Sequence, residues 1–325
     1  RWIPIIKSIS QVGYSVSLVT LIVAFVLLTC LKKLRCPRNT LLLYLFFSFI
    51  MRAFITLLLD LLLVKGVGLA KDVVVDENGL VAFLPDRTNW ECKALIAFWN
   101  YCLIANYTWI FMEGLYLHNL IFLALFTDTS SITLYVIVGW GLPIFFLVPW
   151  ILLRISHEDT KCWNTHEDSN IYLLLRIPVI ICVLLSFILF MNIARVLLLK
   201  MQSIVYLERR KLRYRRWARS TLVLVPLFGV HYVIFVWLIQ ELKVGTTMMI
   251  VYLFVDQLFA SFQGFLVALL YCLMNSEVCA EVVRKWKSYK YNKEHSKRGS
   301  ANSLPPGLHS MLTSSRIYNG GGGHR

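Results

Sequence analysis

Seven long apolar stretches alternate with shorter polar segments along this chain. Each stretch reaches the about 20 residues that an α-helix needs to cross a bilayer. Because a backbone in hydrocarbon must satisfy its own hydrogen bonds, such stretches predict helices. The pattern therefore predicts an all-α membrane protein, a bundle of seven transmembrane helices. The approximate spans are Val12–Leu31, Leu41–Val64, Ala94–Phe126, Ile132–Leu153, Ile171–Leu199, Ala218–Gln240 and Met248–Cys272.

Basic residues predict how the bundle is oriented. Most of the 33 Lys and Arg residues follow spans one, five and seven, whereas the segments after spans two, four and six carry few. Positively charged loops stay in the cytoplasm, so we expect an extracellular N-terminus, a cytoplasmic C-terminus and a plasma-membrane location. The net charge of +15 then belongs to a surface that faces membrane lipid, and nucleic acid is not an expected partner.

Three regions are expected along the chain. Residues 1–273 form the bundle, and residues 274–295 form an amphipathic helix on the inner leaflet, with basic side chains around Val278, Val282 and Trp286. Residues 296–325 are rich in Ser, Pro and Gly and read as a disordered cytoplasmic tail. Phosphorylation of serines in that tail could recruit arrestin, although such tails are more often only disordered. The chain begins with Arg, which suggests a fragment of a longer protein.

Only two of the eight cysteines occupy predicted extracellular positions. Cys92 lies at the outer end of span three and Cys162 in the loop after span four. A disulfide between them would tie the loop across the bundle in an oxidising compartment. No Cys/His cluster has zinc spacing, and no cofactor is expected.

Polar side chains inside apolar helices are costly and therefore mark candidate functional positions. Asn106 and Glu113 are seven residues apart, so they share one helix face. One interpretation has Arg52, Asn106 and Gln263 meeting in the bundle interior. A second group, Glu113, Thr221 and Tyr271, would then meet nearer the cytoplasm. The alternative is that each makes a local structural hydrogen bond without any switching role.

Span six contains the strongest helix breakers. Pro226 removes one backbone hydrogen bond and Gly229 loosens the next turn, which predicts a hinge. A static kink is the alternative.

Several short motifs stand out along the chain: Cys36-Pro37-Arg38-Asn39, Glu113-Gly114-Leu115-Tyr116, Gly139-Trp140-Gly141-Leu142-Pro143, Cys162-Trp163, Pro226-Leu227-Phe228-Gly229 and Phe262-Gln263-Gly264-Phe265. Together they resemble the motifs of one family, the secretin-like (class B) G-protein-coupled receptors. The likeness runs from about Gly13 to Lys287. Two strings, Leu117-His118-Asn119-Leu120-Ile121-Phe122 and Val230-His231-Tyr232, are most similar to the parathyroid hormone receptor subgroup.

The resemblance implies a mechanism. A helical peptide hormone would bind an extracellular domain that this chain lacks, and its N-terminus would enter the bundle. A stimulatory G protein would then be activated and would raise cAMP through adenylyl cyclase, so the chain itself is no enzyme. The implied central network and pocket comprise Tyr14, Arg52, Asn106, His231, Asp256, Gln257 and Gln263. The implied inactive-state network is Glu113, Thr221 and Tyr271, and the implied G-protein contacts are Arg38, Arg195, Lys200, Asn275 and Glu277.

Two positions depart from the family pattern. Leu42 stands where histidine is usual, and Ser186 stands where asparagine is usual. Weaker restraint of the inactive state, with raised basal signalling, is the resulting hypothesis.

Two other classes of membrane protein share parts of this pattern. An adhesion-type seven-helix receptor would need an autoproteolysis domain upstream. A membrane transporter could also place charged side chains inside a bundle, but the odd span number and the lack of internal repeats argue against it.

Overall fold

The computed structural model describes residues 3–31, 37–64, 66–75, 81–84, 89–122, 129–164, 169–203, 247–273 and 276–302. Within these ranges the chain is almost wholly helical. Five long helices come first: α1 (Ile3–Cys30), α2 (Pro37–Leu62), α3 (Trp90–Phe122), α4 (Thr129–His157) and α5 (Ser169–Ser203). They are followed by α6 (Thr247–Ala268), which continues into a π-helical turn at Leu269–Leu273, and by α7 (Ser276–Asn302).

The helices α1 to α6 are each long and apolar enough to cross a membrane. The helices α1 to α5 match predicted spans one to five, and α6 matches predicted span seven. The sixth predicted span, Ala218–Gln240, lies outside the described residues. The helices also extend beyond the apolar runs that predicted them. For example, α1 begins at Ile3, before the predicted start at Val12. The apolar pattern missed these first turns because they carry polar side chains such as Lys7. Lys7 forms an ion pair with Asp60 on α2 (3.3 Å).

Helix packing is centred on α3. This helix contacts α2, α4 and α5, while α1 packs against both α2 and α6. The main apolar core lies between α2, α3, α4 and α5. It includes Ile55, Ile104, Trp150 and Val183, all fully or almost fully buried.

Two small antiparallel hairpins connect α2 to α3, and the sequence patterns did not predict them. The strands β1 (Leu63–Val64) and β2 (Gly68–Leu69) pair first, with Leu63 opposite Leu69. The strands β3 (Val73–Val75) and β4 (Val81–Phe83) pair next, with Val74 opposite Ala82. Leu69 packs with the two disulfide cysteines in a separate small core.

The helix α7 belongs to a second compact unit that begins at Ser276. It runs to Asn302, seven residues past the boundary at 295 at which the disordered tail was expected to begin. Residues 296–302 are therefore helical in the structure. Val278 is buried, whereas Trp286 and Tyr289 are largely exposed. A position on the inner leaflet stays a prediction for this helix.

Candidate functional site

The centre of the bundle holds a buried hydrogen-bonded chain of polar side chains. Arg52 on α2 donates from Nη1 to Oδ1 of Asn106 on α3 (2.9 Å). The Asn106 amide then donates from Nδ2 to Oγ of Ser48 (3.2 Å), one turn before Arg52. Asn106 is completely buried and Arg52 is 7 % exposed. Because a buried guanidinium is costly without partners, this bond couples α2 to α3 strongly.

Aromatic and acidic groups surround the same guanidinium. The ring of Tyr107 lies 5.3 Å from the guanidinium carbon of Arg52. The phenol of Tyr14 on α1 and the carboxylate of Asp256 on α6 are also electrostatic neighbours of Arg52. Arg176 on α5 acts on Asp256 as a second cation. Five helices thus contribute to one charged cluster, and Arg176 was absent from the predicted set.

The helices α1 and α6 meet along a close polar seam. Gln257 donates from Nε2 to Oγ of Ser10 (2.6 Å). Ser17 donates from Oγ to the backbone oxygen of Ser261 (2.6 Å) and accepts from the backbone N–H of Phe265 (3.1 Å). These serines were not singled out by the sequence, because single serines are common in membrane helices.

Glycines allow this close approach. A Cβ on Gly13 would lie 2.4 Å from Oγ of Ser261, and one on Gly264 would lie 2.7 Å from a methyl carbon of Leu21. The predicted site residue Gln263 is also on α6, where it is buried. The seam therefore holds the part of α6 that carries Gln257 and Gln263 directly against α1.

A second group of polar side chains lies further along α3, away from the disulfide. Glu113 is 1 % exposed and Tyr271 is 7 % exposed. Neither carboxylate oxygen of Glu113, nor the hydroxyl of Tyr271, has a hydrogen-bond partner within the described ranges. The two groups are electrostatic neighbours of each other, and Arg38 at the start of α2 is the cation that acts on both. Tyr271 sits in the π-helical turn that ends α6.

The loop after α4 is fastened to α3 by a disulfide. Cys92 and Cys162 are bonded, with their Cα atoms 5.3 Å apart, which confirms the predicted pairing. Both flanking residues, Lys161 and Trp163, have a left-handed backbone, with φ of 51° and 60°. The carbonyl of Trp163 accepts from Nη2 of buried Arg154 (2.8 Å), and Arg154 also forms an ion pair with Glu158. These contacts hold the unusual backbone in place.

Asp159 provides a further attachment of this loop. Its Oδ1 accepts from Nζ of Lys93 on α3 (2.7 Å) and from Nε1 of Trp163 (3.0 Å). The Lys93 hydrogen bond is the main reason why the pKa of Asp159 lies below its usual value. Asn164 also donates to the backbone oxygens of Gly66 and Val67 (3.0 and 2.9 Å). The loop is therefore bonded to α3, to α4 and to the segment between β1 and β2.

The remaining predicted residues are placed as follows. Arg195 is exposed on α5, Lys200 lies near the end of α5, and Glu277 lies in the first turn of α7. Leu42 is buried, and Ser186 uses its hydroxyl to bond the backbone oxygen of Cys182 on its own helix (2.7 Å). No group of three or more His, Cys, Asp and Glu that could hold a metal ion occurs in the described ranges. Thr221, Pro226, Gly229, His231 and Asn275 lie outside the described residues.

Comparison with known proteins identifies relatives of this helix bundle. The family model "7 transmembrane receptor (Secretin family)" matches residues 4–267. Vasoactive intestinal polypeptide receptor 1 of Mus musculus is 37 % identical over 284 residues, covering 87 % of this chain and 58 % of the relative. Vasoactive intestinal polypeptide receptor 2 of Homo sapiens is 38 % identical over 285 residues, covering 87 % and 61 %.

A third relative is named for a different hormone, secretin. The secretin receptor of Oryctolagus cuniculus is 38 % identical over 284 residues, covering 87 % of this chain and 60 % of the relative. The chain thus spans about three fifths of the length of these curated relatives. Since the family match extends over the great majority of the bundle, the chain belongs to the secretin family of seven-transmembrane receptors.

Proposed function

We propose that this chain is the membrane bundle of a receptor for a helical peptide hormone, which activates a stimulatory G protein and raises cAMP through adenylyl cyclase. Family membership supports the receptor class, and relatives named for vasoactive intestinal polypeptide and secretin support a peptide ligand. The bundle would lie in the plasma membrane with its N-terminus outside. That orientation rests on the distribution of Lys and Arg.

The hormone's N-terminus would act on the central cluster. Arg52 is bonded by a neutral amide, that of Asn106, and a hormone group can therefore compete for the guanidinium. Tyr14, Asp256 and Gln257 lie on the two helices that face this cluster, and we assign them to the hormone pocket. His231 is assigned to the same pocket on sequence alone.

The inactive state would be held by the inner polar group. A carboxylate as deeply buried as that of Glu113 needs hydrogen-bond donors, and the described residues supply none. We assign that role to the sixth span, which carries Thr221. Hormone binding would break these bonds and open the hinge at Pro226 and Gly229.

Opening of the hinge would expose a cavity for the C-terminal helix of the G protein. Arg38, Arg195 and Lys200 would contact it from α2 and α5. Asn275 and Glu277 would contact it from the chain beyond the seventh span. Glu113 is buried and has no hydrogen-bond partner among the described residues, and this observation carries the proposal, because a buried carboxylate needs a partner that a switch can release.

Nucleotide exchange tests the proposal directly. The chain is reconstituted in nanodiscs with a stimulatory G protein, and exchange is measured without peptide. We expect Glu113→Gln to raise basal exchange, because a neutral amide binds the inner network more weakly than a carboxylate. Glu91→Gln is the matched control, since Glu91 is a half-exposed glutamate, ion-paired with Lys71, at the outer start of the same helix. Equal basal exchange in both variants and the parent chain would reject the proposed restraint.

The finer likeness to the parathyroid hormone receptor subgroup stays a prediction. It rests on the strings at 117–122 and 230–232. Stimulation of exchange by parathyroid hormone, vasoactive intestinal polypeptide and secretin, each at high concentration, tests it. A response to parathyroid hormone alone supports the subgroup, and a response only to either of the other two contradicts it.

A further inference from the structure

The π-helical turn that ends α6 is a rare element, and it carries one member of the inner polar group. The turn spans Leu269–Leu273 and follows the α-helical part of α6 directly. It holds one residue more than an α-helical turn, because each N–H bonds the carbonyl five residues back rather than four. Such turns occur mostly as single turns within α-helices, frequently at functional sites. Since a continuous α-helix is the commoner arrangement, contacts outside the turn must hold it.

Two buried side chains provide these contacts. Cys272 is completely buried, and its thiol donates to the backbone oxygen of Ala24 on α1 (3.8 Å). Tyr271 is also buried, and it is an electrostatic neighbour of Glu113 on α3. The turn is therefore attached to α1 by a thiol and places a phenol beside the buried acid of α3.

The part of α6 just before the turn is fixed against α1. The backbone N–H of Phe265 donates to Oγ of Ser17 (3.1 Å), and a Cβ on Gly264 would lie 2.7 Å from a methyl carbon of Leu21. If the turn became α-helical, its extra residue would have to be taken up after this fixed part. An α-helix turns by roughly 100° per residue, so side chains within the turn would rotate by about that angle around the helix axis.

We infer that this turn is a conformational device with two positions: it is π-helical in the resting receptor and becomes α-helical when the inner polar group is released. The inference rests on the proposed function, because it concerns the same restraint on the inactive state. The rotation carries the phenol of Tyr271 away from Glu113 and the thiol of Cys272 away from Ala24. Because the α-helical form is the commoner one, the change also opposes return of Tyr271 to Glu113.

Deletion of Leu270 tests the inference without a hormone. The deletion removes the extra residue, so an α-helix then places Tyr271 where the π-helical turn places it now, and no relaxation remains. Basal nucleotide exchange on a stimulatory G protein is measured in nanodiscs, in chains that carry Glu113→Gln to raise it. We expect the deletion to lower that exchange about tenfold. Leu270→Ala is the matched control, because it removes the same half-buried side chain but keeps the residue, and it should leave exchange unchanged.

Infrared spectroscopy of the Cys272 thiol reports on the turn itself. The S–H stretching band depends on the hydrogen bond to Ala24, and the difference between spectra with and without Cys272→Ser assigns it. Binding of the nucleotide-free G protein should shift this band in the Glu113→Gln chain. The same addition should leave the band unshifted after deletion of Leu270.

The two measurements distinguish failure of the inference from failure of the proposed function. Active exchange in the Glu113→Gln chain with an unshifted thiol band would overturn the inference alone. So would undiminished exchange after deletion of Leu270, in a chain that melts at the same temperature as the Leu270→Ala control. If the deletion lowers the melting temperature, the thiol band of the Glu113→Gln chain decides by itself. Absence of exchange in every chain would contradict the proposed function, and the inference with it.

Discussion

Removal of the Asn106 carbonyl should destabilise the bundle because it leaves the buried Arg52 guanidinium without its amide acceptor. Asn106→Leu keeps the side-chain size but deletes the 2.9 Å hydrogen bond to Arg52 and the 3.2 Å bond to Ser48. A buried hydrogen bond to a charged group contributes about 1.5–3 kcal/mol. We therefore expect the free energy of unfolding to fall by about 2–3 kcal/mol. For a domain of this size the melting temperature should fall by roughly 5–10 °C.

The chain supplies its own reporters of unfolding. Cys102 on α3, Cys182 on α5 and Cys272 in the π-helical turn after α6 are buried thiols that form no disulfide. A thiol-reactive fluorescent dye labels them only when the bundle opens, after exposed thiols have been blocked with a non-fluorescent reagent. Melting curves in a mild detergent then compare the parent chain with each variant. Asn100→Leu is the matched control, because buried Asn100 donates to the Ile96 carbonyl of its own helix and its loss should cost about 1 kcal/mol.

A double-mutant cycle separates the Arg52–Asn106 bond from general effects of each substitution. Replacing both partners with apolar groups of similar size removes the buried charge and the need to satisfy it. Arg52→Met combined with Asn106→Leu should therefore be less destabilised than the two single changes predict, by about 2 kcal/mol. Strict additivity of the two single effects would refute the claim that this bond couples α2 to α3.

Three further predictions concern other parts of the chain. Gly139→Leu should lower the melting temperature strongly, since its Cβ would lie 2.7 Å from a buried indole on α3; Gly141→Leu, with open space around it, should not. The pKa of Asp159 is lowered by Lys93, so their pair stabilises the fold above the usual aspartate range and is lost as pH falls through the lowered pKa. Lys93→Met should therefore reduce the acid sensitivity of thermal stability, measured between pH 6 and about pH 3; an unchanged profile contradicts this. Leu42→His should lower basal cAMP in cells, and unchanged basal cAMP would reject the hypothesis of weakened restraint.

The sequence predicts the helices well because hydrocarbon allows few alternatives. Runs of about 20 apolar residues must be helical, and six of the seven predicted spans coincide with described helices. Their ends are predicted less well. Residues such as Lys7 and Ser8 continue α1 outside the apolar run, where hydropathy carries no signal. The hairpins were missed because strands of two or three residues are too short to show alternation, and β1 follows the apolar end of α2 directly.

The polar sites also divide into those with a signal in the sequence and those without one. Arg52 and Asn106 could be singled out because charged and amide side chains are rare within membrane helices. The disulfide was predictable because the topology left only two cysteines on one side. By contrast, Lys93 and Asp159 are 66 residues apart in polar segments where charges are ordinary, so no pattern relates them. Ser17 and Ser48 were missed for a similar reason, because serine also bonds its own helix in many places, as Ser15 does.

The close seam between α1 and α6 has a mechanical consequence for any motion of the receptor. With Gly13 against Ser261 and Gly264 against Leu21, neither helix can slide past the other without a steric clash. The pair should move as one rigid body while other helices rearrange. Spin labels at exposed Val19 on α1 and Val251 on α6 would then keep a constant separation in every signalling state. That constant distance would serve as a reference against which the displacements of the other helices are measured.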